Sequence, residues 1–96
     1  MAEKKEIRIN LTEEVSGGKY SNLAMIAHSE NEFILDFIFV HPPKGKVVSR
    51  IITSPSHAKR LAQALQNNVA IYEKKFGEIK QSKEPPPQVG FELSKN

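Results

Sequence analysis

The stretch Thr53–Leu61, TSPSHAKRL, gathers more side chains able to hold an anion than any other part of the sequence. Ser54, Ser56, His57, Lys59 and Arg60 surround an expected helix start, where backbone N–H groups lack intrahelical partners and can bind a phosphate or carboxylate. Lys59 and Arg60 in the first turn oppose the helix dipole, at a cost of a few tenths of a kcal/mol each (roughly), and a bound anion removes that conflict. Both side chains pointing into water is the plainer alternative. Lys44 and Lys46 lie a little earlier in the chain, and they join the same surface if the hairpin brings its loop near the helix. The alternative is a sheet that holds the two groups at opposite ends.

Asp36 is the second residue whose setting suggests chemistry. It stands inside FILDFIFV, Phe33–Val40, an expensive place for a lone carboxylate. A loop that closes with Val40 near Lys46 sets Asp36 opposite Arg50, as an ion pair that fixes the strand register. The competing reading is a catalytic acid with a raised pKa, but no second carboxylate or nucleophile has a comparable setting.

Other chemistry finds no support. Nucleotide-binding glycine motifs, a nucleophile elbow and a paired-histidine zinc motif are all absent, and Ser16-Gly17-Gly18-Lys19 lacks phosphate-loop spacing. His28, His41 and His57 stand apart from one another, which gives no metal-ligand pattern. There is no cysteine, which excludes disulfides, zinc-thiolate sites and thiol catalysis. The sequence therefore predicts no enzymatic activity, no catalytic, cofactor-binding or metal residues, and no small-molecule substrate. The apolar run Phe33–Val40 is too short to span a membrane, and MAEKKEIRIN has no signal-peptide core, so a cytoplasmic protein is expected.

The elements that must position these residues follow from periodicity. The 96 residues suit one small domain. Residues 1–5 read as a flexible start, 6–80 as one α+β domain, and 81–96, with Pro85-Pro86-Pro87, as a disordered tail. Ile7, Ile9 and Leu11 alternate with Glu6, Arg8 and Asn10, the pattern of a half-buried strand. TEEVSGGK is a connection, Tyr20–His28 a second strand, Phe33–Val40 a third, His41–Lys46 a loop and Val47–Thr53 a fourth strand. Ser54 as N-cap, Pro55 at the first helical position and Gly77 as the stop bracket one long helix. Leu61, Leu65, Val69, Tyr72 and Phe76 form its apolar stripe.

The expected fold is thus an antiparallel sheet of three or four strands with one long C-terminal amphipathic helix packed on one face. The opposite face, with Ile34, Ile38, Val40, Val48 and Ile52, has no second helix to cover it. A homodimer solves this; the first strand and the loops wrapping back over the face is the alternative. Charge is uneven as well. Residues 1–43 carry four basic against seven acidic residues, and 44–83 carry nine against two. Such asymmetry suits an acidic protein partner or nucleic acid, or complementary patches between subunits.

The run Tyr20–Gly77 resembles a small bacterial and archaeal family catalogued as a domain of unknown function, number 3467. The pieces that carry the resemblance are YSNLAMIAHSENEFILDF and SRIITSPSHAKRLAQALQNNVAIYEKKFGEI, above all the S-P-x-H-A-K-R-L helix start and the closing Y-E-x-x-F-G. The resemblance implies a sheet-plus-helix domain with no assigned activity and an association with the transcription and translation machinery. Strands followed by one long helix are also similar in topology to half of a SecB-type chaperone, which makes a holdase using an apolar sheet face the alternative function.

Overall fold

The β-branched and aromatic content of FILDFIFV makes it the natural centre of a sheet, and in the computed structural model, which describes residues 5–81, it holds that place. The sheet is antiparallel, with strands β1 (Leu23–His28), β2 (Phe33–His41) and β3 (Lys44–Thr53) in the order β1-β2-β3. A short helix α1 (Glu13–Ser16) precedes it and a long helix α2 (Pro55–Phe76) follows. The chain divides into two units, the first ending at Arg60 and the second beginning at Leu61.

Among the described residues the sheet has three strands, and the expected first strand is not one of them. Residues 6–11 pair with no other strand among the described residues, and Ile7 and Ile9 are 83% and 89% exposed. Alternation prescribes two faces for an extended segment but does not supply the neighbour that a strand needs. The expected connection at TEEVSGGK contains α1, with two acidic residues in its first turn. The second strand starts at Leu23, three residues later than expected, because Asn22 ends the ladder with its side chain. The Asn22 amide donates to the Val40 carbonyl (3.0 Å) and its Oδ1 accepts from the Val40 N–H (2.8 Å), as a strand backbone would.

The β2–β3 hairpin is tighter than expected. His41 pairs with Lys44 and Val40 with Gly45 across Pro42-Pro43, so Lys44 and Lys46 are strand residues rather than loop residues. A bulge between Phe37 and Ile38 then inserts Val48 as an extra residue, Phe37 facing Ser49 and Ile38 facing Val47. The tight turn and the bulge cancel, which restores Asp36 opposite Arg50. Val48 leaves the face expected for it: with Phe37 and Ser49 it lines a cavity of about 550 Å³ that Glu14 and Val15 of α1 also line.

The helix keeps the limits read from its sequence. Ser54 Oγ accepts the His57 N–H (3.1 Å), Ala58 N–H closes the first turn on the Ser54 carbonyl (2.9 Å), and Gly77 ends the helix at φ 98°. Such a cap contributes about 1 kcal/mol. No residue of α2 is buried. Among the described residues the buried hydrophobics are Leu35 and Ile38, one on each face of β2. Residues 1–4 and 82–96, and with them most of the expected tail, lie outside the described residues.

Candidate functional site

Asp36 is buried at the middle of β2 and meets Arg50 of β3 through a two-bond fork. Arg50 Nε donates to Oδ1 at 2.7 Å and Nη2 to Oδ2 at 2.8 Å. The Asp36 side chain is 7% exposed and that of Arg50 53%, so the guanidinium reaches water while it caps the carboxylate. These hydrogen bonds hold the Asp36 carboxyl below the usual carboxylate range, against the opposing push of burial, and they raise Arg50 further. A carboxyl held ionised and fully engaged is a structural anchor, and a general acid needs the opposite shift.

The helix start brings Ser54, Ser56, His57, Lys59 and Arg60 together, but it turns several of them toward one another. Besides the Ser54 cap, Thr53 Oγ1 shares a hydrogen bond with His57 Nδ1 (2.7 Å), and Arg60 Nη1 donates to Ser56 Oγ (2.9 Å). Arg60 retains its other donors, and Lys59 is exposed.

Lys44 and Lys46 do not join this cluster. They stand at the beginning of β3, while Ser54 directly follows its end. At about 3.3 Å per residue the strand separates the two groups by roughly 25–30 Å. The hairpin that was to join them holds them at opposite ends of the sheet. Among the described residues no three His, Asp or Glu side chains converge as metal ligands, and no helix is long and apolar enough to cross a membrane.

Residues 1–81 match the family described as protein of unknown function (DUF3467). The chain belongs to that family. The match takes in segment 6–11, the three strands, the Asp36–Arg50 fork and the helix start of the DUF3467 chain, and it ends before Pro85-Pro86-Pro87. Nothing among curated proteins and nothing among solved structures matches this DUF3467 chain.

The feature of the surface that residue-by-residue reading missed is the extent of its apolar part. Leu61, Leu65, Val69, Ile71, Tyr72 and Phe76 of α2 are all exposed, as are Ile26, Ile51 and Ile52 of the sheet. The signal was present in the sequence as the α2 stripe, whose spacing shows that it faces something without saying what.

Proposed function

We propose that this protein is an interaction protein rather than an enzyme, that its working unit is a cytoplasmic homodimer, and that the α2 stripe of each chain covers a sheet face within it. The observation that carries this reading is the exposed stripe Leu61, Leu65, Val69, Tyr72 and Phe76, set against only two buried hydrophobic side chains among the described residues. A contiguous apolar surface of that kind marks association, and two-fold pairing is its commonest form. Light scattering at micromolar concentration should return about twice the chain mass. A mass of one chain at that concentration removes the homodimer.

The dimer presents the helix start twice, and the excess of basic residues over 44–83 favours an acidic partner, a protein surface or nucleic acid of the transcription and translation machinery. The contact falls to Lys59 and Arg60, with Ser54, Ser56 and His57 shaping the surface and Lys44 and Lys46 too distant to share it. Lys59→Glu with Arg60→Glu should abolish binding to RNA oligonucleotides and to polyglutamate while leaving the melting temperature nearly unchanged, since exposed charges contribute little to folding. For RNA, the parent's affinity should fall steeply with salt, and the log–log slope should lessen by about two in the milder Lys59→Ala with Arg60→Ala variant. Equal binding by parent and variant would move recognition away from the helix start, for which the segment around Phe91–Leu93 is the next candidate.

A second reading, a holdase that grips unfolded chains, is favoured by the exposure of Ile26, Ile51 and Ile52 on the sheet. It predicts capture of unfolded polypeptide that persists at high salt, where the polyanion reading predicts loss.

A further inference from the structure

We propose that residues 6–11 add as a strand to the free edge of β1 in a second copy of this chain, the two copies exchanging the segment reciprocally. This rests on the homodimer above and names the contact that builds it. The segment has the composition of a strand without the pairing of one: Ile7, Ile9 and Leu11 lie on one side, Glu6, Arg8 and Asn10 on the other, with the three apolar residues 71–89% exposed.

Among the described residues the sheet has two free edges, β1 and β3, and they differ chemically. The β3 edge carries Lys44, Lys46 and Arg50 and is bent by the bulge at Val48, the devices that keep an edge from accepting another strand. The β1 edge, LAMIAH, has no charged residue with an ordinary ionised side chain such as Lys or Glu, no proline and no bulge. Its six residues match the six of the segment. It is an unguarded edge, ready for β-augmentation.

The chain's own segment is badly placed to take it. Glu14 and Val15 of α1 line a cavity with Ser21, with Phe37 of the central strand β2 and with Val48 and Ser49 of β3, so the chain entering α1 at Thr12 starts over β2 and β3 rather than at the outer edge of β1. A strand outside β1 lies two strand spacings from β2 and three from β3, about 10–14 Å. At about 3.5 Å per residue, three or four of the six residues would be spent on the crossing, which leaves too few to pair along β1. A second copy related by a two-fold axis meets no such limit, and each chain then both gives and receives a strand.

The full-length chain tests this directly. In a mixture of isotope-labelled and unlabelled chains, isotope-filtered NMR should show contacts between residues 6–11 of one chain and 23–28 of the other, and the amides of 6–11 should exchange on the order of 100-fold more slowly than in an open chain. Ile9→Pro, which removes a ladder donor at an exposed site, should raise the dimer dissociation constant about tenfold or more while the helical signal of α2 persists. A dimer with freely exchanging amides at 6–11, or an unchanged constant in the proline variant, overturns the exchange and leaves the homodimer standing. Protected amides with contacts only within one chain also overturn it, showing closure in cis. A chain of monomeric mass overturns both.

Discussion

Leu65→Glu with Tyr72→Glu should leave a folded, helical monomer. In the isolated chain Leu65 is 62% exposed and Tyr72 50%, so the substitutions remove little packing within the chain. Glutamate is nearly as good a helix former as leucine, and the cap at Ser54 and the stop at Gly77 are untouched. In the dimer the same positions lose far more. Burial of a large apolar side chain contributes roughly 1.5–3 kcal/mol, and a two-fold interface counts every substitution twice. Two positions in two copies give roughly 6–12 kcal/mol, and even half of the lower figure is about 3 kcal/mol, so the dissociation constant should rise by about 100-fold or more. Light scattering across a dilution series reads the mass, and circular dichroism at 222 nm reads the helix. A variant that still dimerises with the parent's affinity places the α2 stripe outside the interface. Loss of the helical signal together with the dimer would show instead that the helix draws its stability from the covered stripe, and Leu65→Gln alone, milder in charge, then separates the two effects.

The elements that sequence reasoning located well are those whose determinants are local. Ser54, Pro55 and Gly77 fix the ends of α2 by their own backbone chemistry, whatever surrounds them. The Asp36–Arg50 pairing was legible for a different reason: a carboxylate in the middle of an apolar strand needs a cation, and Arg50 is the basic residue on the next strand within reach. The path to it was not legible. The two-residue turn at Pro42-Pro43 and the compensating bulge at Val48 each shift the register by one and cancel, and alternation alone carries no sign of either. The side chain of Asn22, standing in for backbone at the end of β1, is equally invisible, because an asparagine there looks like any turn residue. Residues 6–11 show the limit most plainly. Their pattern states that they are fit for a sheet, and no pattern within one chain names the edge that receives them. The basic surface had two possible layouts in the sequence, and the extended strand selects the one in which Lys46 and Lys59, though close in sequence, stand far apart.

Arg50→Ala should destabilise the protein more than any other truncation of an exposed residue in the sheet, and acid should have a matching effect on the parent. The substitution removes both donors from a carboxylate that is 7% exposed, so the charge stays inside the sheet without its partner. Asp36→Val with Arg50→Val, which removes both charges and suits a β-strand, should recover much of the lost denaturant midpoint. The pH dependence follows from the direction of the Asp36 shift. Its carboxyl titrates lower in the folded chain than in the unfolded one because the Arg50 hydrogen bonds favour the ionised form. The unfolded chain therefore takes up the proton first as pH falls, and the stability due to the fork is fully present above the ordinary aspartate value of about 3.9. It is lost progressively below that value, as pH drops through the lower folded pKa. Asp36→Asn lacks this contribution, so the gap in stability between parent and Asp36→Asn should be constant from neutral pH down to about pH 5 and should close below about pH 4. Urea midpoints measured from pH 7 to pH 3 read the gap. A gap that stays constant through pH 3 would mean that Asp36 titrates alike in folded and unfolded chains, and that the fork adds nothing to the fold beyond its register.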